Sequence, residues 1–213
     1  LNDLLQADLV EMLPYEKINK GFRYILVAIN AFSKFAWPQP VRQKTGKAVA
    51  AAMSIILSQM KQIPKHIQTD LGKEFYNKEF QTLMKTYNIH HYSTYSTLKA
   101  SIVERLNRTL KNRMWRLFSL QGSYKWLPLL QQVVQEYNNT KHRTTRMKPN
   151  DVTLRNVKHV LLHAYSHLKT IDPKAPKFRV GDKVRISKYR HAFSKGYPPI
   201  WSNDLISLRY VQQ

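Results

Sequence analysis

The segment Tyr24-Ile25-Leu26-Val27-Ala28-Ile29 constrains this chain most, because it offers apolar side chains to both faces of a strand. Such a strand belongs inside a sheet covered on both sides. Its neighbours supply the rest. Residues 6–13 read as a preceding strand, followed by a turn over 15–21. Residues 35–41 read as a third strand, and the prolines there put it at an edge. Thr45 can N-cap a helix over 48–60. A short strand at 66–69, a helix around 77–87 and a strand at 89–92 come next. Helices are then predicted over 100–120, over 125–138 and from Pro149 to about residue 168. Three strands, then helix, strand, helix, strand, helix, make an α/β layout with a mixed five-stranded sheet flanked by helices.

The chain of 213 residues suits one ordinary domain and a small module. Asp172-Pro173-Lys174-Ala175-Pro176 breaks the composition as a linker does. Beyond it, Phe178 to Ile186 carries a Gly181-Asp182 turn and the alternation of a small β module. The division predicted is therefore a core over 1–150, a helix and linker over 151–172 and a β module over 173–213. Starting at Leu1 rather than Met, the chain is expected to be a fragment or a processed piece.

Charge narrows the function. The formal net charge is +22, an excess that opposes compaction unless a polyanion is the partner. Cysteine is absent, which excludes disulfides and Cys-based zinc sites. No apolar run approaches the roughly 20 residues that span a bilayer, so no membrane partner is expected. His159, His163 and His167 share a helix face with no acid or Cys nearby, and they read as an ordinary polar face.

With only 13 acids in the chain, each can be weighed. Asp8 shares a strand face with Val10 and Met12, and a carboxylate on an apolar face needs a salt bridge or a metal. Asp70 follows the short strand at 66–69, where an Asp commonly serves a turn. Glu104 falls with Arg108 and Lys111 on one helix face, opposite Val103, Leu106, Leu110, Met114 and Leu117. Taken alone, that face reads as solvated.

Gln6-Ala7-Asp8-Leu9-Val10, Phe32-Ser33-Lys34, Gln68-Thr69-Asp70-Leu71-Gly72-Lys73-Glu74-Phe75 and Glu104-Arg105-Leu106-Asn107-Arg108-Thr109-Leu110-Lys111 occur in that order. Together they resemble the integrase core of retrovirus-like elements, closest to the Polinton/Maverick and GINGER transposons. Tyr137-Asn138, His142 and Pro149 extend the resemblance, and the segment from Phe178 to Trp201 resembles the SH3-like module of that group, cut short at Gln213. The resemblance implies a ribonuclease H-like core and a polynucleotidyl transferase. Asp8, Asp70 and Glu104 would be its catalytic acids, holding two Mg²⁺ (or Mn²⁺) ions. It implies 3′-end cleavage and strand transfer into double-stranded DNA, by a homo-oligomer acting in the nucleus. The DNA contacts it implies are Lys99, Arg108 and Lys111, with Lys183, Arg185 and Lys188 in the module. Departures are few: 33 residues separate Asp70 from Glu104, two fewer than in retroviruses, Asn30 replaces a usual Asp, and no zinc domain precedes the core. A catalytically silent DNA-binding relative and a ribonuclease H-type nuclease are the alternatives; the intact triad argues against the first and the basic tail against the second.

Overall fold

A computed structural model of the chain describes residues 3–93, 101–165, 178–187 and 201–209. The chain divides into two compact units, Leu1–Ser166 and His167–Gln213. In the first, five strands form one sheet: β1 (Leu4–Glu11), β2 (Tyr24–Asn30), β3 (Ala36–Val41), β4 (His66–Thr69) and β5 (His90–Ser93), in the order β3-β2-β1-β4-β5. β1 and β3 run antiparallel to β2, whereas β4 is parallel to β1 and β5 to β4. The sheet is mixed, as predicted.

Every residue of β2 is buried, and alternation sends its side chains into two separate cores. Leu26 and Ala28 join a cluster with α1 (Gly46–Ser58) and α2 (Lys78–Thr86), through Met53, Ile56, Phe80 and Met84. Ile25, Val27 and Ile29 join the opposite cluster with α3 (Ser101–Gln121) and α4 (Leu130–Asn138). The seam of α3 is Val103, Leu106, Leu110, Met114 and Phe118, so Phe118 completes it while Leu117 is only partly buried. Thr45 caps α1 by accepting from the Ala48 amide, and Asn77 caps α2 by accepting from the Phe80 amide.

Two predicted helices differ in their starts. The helix expected from residue 125 begins at Leu130 instead. Asn19, buried on a distant turn, accepts the Trp126 and Leu127 amides on its Oδ1 at 2.9 and 3.1 Å, which removes them from helical pairing. The helix expected from Pro149 is broken into two 3-10 turns, Pro149–Asp151 and Leu154–Asn156, followed by α5 (Val157–Tyr165). The break falls at extended Val152 and Thr153, and a capping box between Thr153 and Asn156 restarts the helix. His159 and His163 pack edge to face at 4.5 Å, while His167 lies outside the described residues.

The second unit contributes a two-stranded antiparallel ribbon, β6 (Lys183–Val184) with β7 (Ile206–Ser207), extended by a bridge between Ser187 and Trp201. Gly181 holds a φ of +97 in the turn before β6, where Asp182 Oδ2 accepts the Arg179 amide.

The edge strand β3 is held by a side chain. Asn138, at the end of α4, donates to the Ala36 carbonyl and accepts from the Ala36 amide, both at 2.9 Å. Removing these bonds strands two buried backbone groups, at about 1–3 kcal/mol each. Asn138→Ala is therefore expected to lower the thermal midpoint by several degrees in calorimetry, with the far-ultraviolet spectrum unchanged below the transition.

Candidate active site

β1 and α3 carry Asp8 and Glu104, and Asp70 directly follows β4, so the three acids that the sequence singled out fall on or beside three elements. The parallel register pairs Leu4 with His66, Leu5 with Ile67 and Gln6 with Gln68. The same offset carried two residues further sets Asp70, just past the end of β4, beside Asp8. Gln6 and Gln68 meet across the two strands, Nε2 to Oε1 at 2.8 Å. Residues two positions on share that face of the sheet, so Asp8 and Asp70 emerge on the side where Gln6 and Gln68 touch. The same side receives α3, because Gln6 Oε1 also accepts the Ile102 and Val103 amides, each at 3.1 Å. Those are first-turn amides, which lack partners within a helix.

Asp8 is half-buried, whereas Asp70 and Glu104 are exposed. Asp8 accepts the Leu9 amide on Oδ1 at 2.8 Å and the Asn107 side-chain amide on Oδ2 at 2.7 Å. Burial pushes the Asp8 carboxyl above its ordinary value; the Leu9 amide lowers it, Asp70 and Glu104 raise it by repulsion, and Lys111 lowers it. Asp8, Glu104, Asn107, Arg108 and Lys111 line a single cavity of about 400 Å³. Arg108 and Lys111 are exposed there.

Asp70 opens a tight turn. Its Oδ1 accepts the Gly72 amide at 3.1 Å. A Cβ on Gly72 would stand 2.6 Å from the Glu74 carboxyl carbon, so a larger residue there would displace that buried carboxylate, which pairs with Lys44 at 3.3 Å. Asp70 thus has the turn role that its position predicts, beside its register with Asp8. Behind it, His91 is fixed by Thr69 Oγ1 at 2.9 Å and Gln81 Nε2 at 2.8 Å. Burial lowers its pKa to about 4, so His91 is a neutral structural group.

An oxygen-only donor set and mutually repelling carboxylates suit a hard divalent cation. Asn107 Oδ1 is also buried without a hydrogen-bond partner. The spacing is looser than a ligand set: among the described residues, no group of three or more His, Asp or Glu side chains gathers closely enough to hold a metal ion. Asn107 carried no role in the sequence reading, since its contact with Asp8 depends on how α3 is rotated against β1. Of the expected DNA contacts, Arg108 and Lys111 line the cavity, Lys183 and Arg185 are exposed in the second unit, and Lys99 and Lys188 lie outside the described residues.

Known proteins agree with this architecture. Residues 1–95 match the family model described as integrase core domain. A transposon-derived protein of Caenorhabditis elegans is 34% identical over 194 residues, covering 91% of this chain and 65% of its own length. The Pol polyprotein of feline endogenous virus ECE1 is 29% identical over 140 residues, 65% of this chain and 13% of the polyprotein. The chain thus spans under two thirds of either relative. Among solved structures, the HTLV-2 integrase catalytic core domain in complex with magnesium, in a trimeric form, superposes with a TM-score of 0.60 at 20% identity, over 71% of this chain and 95% of that one. The catalytic core domain of BIV integrase gives 0.56 at 21% identity, over 73% and 96%. The fold is the ribonuclease H-like fold of integrase catalytic cores. Over residues 1–95 the chain is similar to the integrase core domain, and these relatives are transposon-derived and retroviral proteins.

The raised pKa of Asp8 has a testable sign. A carboxyl whose folded pKa exceeds its unfolded value contributes stability below the ordinary value of about 3.9, and that stability is lost as pH rises through the raised value. Ionised Asp8 therefore weakens the metal-free fold at neutral pH. Asp8→Asn is expected to raise the thermal midpoint in chelator at pH 7, with the gain shrinking toward about pH 4, since Asn107 can turn its idle Oδ1 to the new amide. Calorimetry across that range checks it; about 1 kcal/mol corresponds to about 2–4 °C in a domain of this size.

Proposed function

We propose that this chain is the catalytic part of a transposon-derived DNA integrase, a polynucleotidyl transferase performing 3′-end cleavage and strand transfer. The register that sets Asp70 beside Asp8, on the face where α3 brings Glu104, carries this reading. Asp8, Asp70 and Glu104 would hold two Mg²⁺ (or Mn²⁺) ions, which when bound activate the attacking oxygen and stabilise the leaving one. The chain's own residues do the rest. Asn107 fixes the Asp8 carboxylate, and the Leu9 amide holds its other oxygen. Gln6 holds the α3 turn that presents Glu104. Arg108 and Lys111, on the same helix, neutralise phosphates of the element end, while Lys99, Lys183, Arg185 and Lys188 add contacts that ignore sequence.

The order of motifs supports a place near the Polinton/Maverick and GINGER group, an SH3-like second unit, double-stranded DNA as partner, a homo-oligomer and a nuclear site of action. A silent DNA-binding relative would have no chemical reason to retain all three acids.

Two experiments test the reading. Asp8→Asn, Asp70→Asn and Glu104→Gln should each reduce Mg²⁺-dependent strand transfer on element-end DNA by at least a thousandfold while leaving duplex affinity within about threefold; a fully active single variant refutes the triad. Deleting residues 173–213 should weaken binding to all duplexes and flatten the dependence of log K on log salt, each lost phosphate contact removing a slope of about 0.9. An unchanged slope would assign the second unit to protein contacts.

A further inference from the structure

Helix α3 has another flank, carrying charge that the acidic site does not use. Arg105, Thr109 and Arg113, spaced four apart, form a stripe beside the one that bears Glu104 and Arg108. This stripe faces Lys34 from the β2–β3 turn and the segment after α4, enclosing a cavity of about 300 Å³. Lys34, Arg105, Arg113, Lys141 and Arg143 line it together with His142, and among the described residues no carboxylate does. The ion pairs among the described residues engage none of these five cations.

The cavity is built from fixed parts. Asn30 Oδ1 accepts the Phe32 and Ser33 amides at 2.9 and 2.8 Å, shaping a turn in which Lys34 takes a φ of +64. Its ammonium donates to the Ala31 carbonyl within that turn. Burial, reinforced by the charge of Arg105, lowers the Lys34 pKa to about 8, leaving it mostly cationic at neutral pH. Arg113 donates to Thr140 Oγ1 at 3.3 Å and lies 5.9 Å from the centre of the Tyr137 ring. His142 is neutral at pH 7, its pKa lowered to about 4 by burial and then by Lys34, Arg105 and Arg143. Five uncompensated cations held together are a standing repulsion, which an anion relieves.

We propose that this cavity binds a phosphate group, separately from the acids on the other flank. Three guanidinium groups offer planar paired donors suited to phosphate oxygens. Thr109, Thr140 and Thr144 line the same cavity. The volume admits a phosphate or a short polyphosphate but not a folded acidic segment. The phosphate comes either from a nucleic-acid backbone passing over the cavity mouth or from a free polyphosphate. The proposal does not rest on the integrase reading, because its readout needs neither metal nor strand transfer.

The test uses the whole chain in chelator, titrated with inorganic pyrophosphate and followed by thermal melting and calorimetry. The wild type should show saturable stabilisation. Arg105→Gln with Arg143→Gln, both exposed, should weaken the apparent Kd at least tenfold. A charge-matched control, Lys61→Gln with Lys85→Gln on remote exposed positions, should stay within about twofold. Lys34→Gln gives a second reading from another element. Duplex titration then separates the sources: a log–log salt slope reduced by about 0.9 or more in the pocket variant assigns the site to a backbone phosphate. An unchanged slope with lost pyrophosphate binding assigns it to a free polyphosphate. Absence of saturation in the wild type, or equal loss in the pocket variant and the control, overturns the proposal.

Discussion

The side chain of Gln6 is the constraint on which the acidic site depends. One buried amide joins three elements: its nitrogen donates to Gln68 on β4, and its oxygen accepts two amides from the first turn of α3. Two of these elements carry an acid, and the third, β4, is followed at once by Asp70. An apolar residue at this position would leave two helix amides without partners and nothing to set the height of α3 against the sheet. The carboxylates, which repel one another, could not supply that alignment. The polar network makes the geometry, and the acids occupy what it makes.

Much of this was legible in the sequence, for definite reasons. A strand buried on both faces announces itself through composition, so β2 and the sheet around it could be read. The capping side chain of Thr45 acts on its own helix and was equally visible. The starts of α4 and α5 were misread because other interactions decide them. Asn19 reaches across more than a hundred residues to claim two amides, and extended backbone at Val152 and Thr153 resets the second helix. In the site, Asp8 stood out as a carboxylate on an apolar face. Asp70 and Glu104 gained meaning only through strand register and resemblance. Asn107 and the basic cavity were beyond reach, since each depends on the rotation of α3 and on segments distant in sequence.

The large positive charge is not spent on stability. Ion pairs such as Arg23–Glu16 at 2.8 Å and Lys65–Asp3 at 3.0 Å lie at the surface, where such pairs contribute about 0–1 kcal/mol. Stability comes from the two apolar clusters flanking the sheet and from asparagine and glutamine side chains that bind backbone groups. The cations are thereby left available on exposed faces, flanking the acids on one side of α3 and crowding a cavity on the other.

The pairing of β3 determines how this molecule can meet copies of itself. Val41 turns its carbonyl toward β2, accepting the Arg23 amide, so the backbone groups of Ala36, Pro38 and Pro40 point outward. The Ala36 groups are taken by Asn138, and the prolines have no N–H to offer. That margin of the sheet is a closed seam, unable to template another strand. Strand addition along β3 is therefore disfavoured for lack of outward N–H donors, and the protein carries its own guard against fibrous growth on that side.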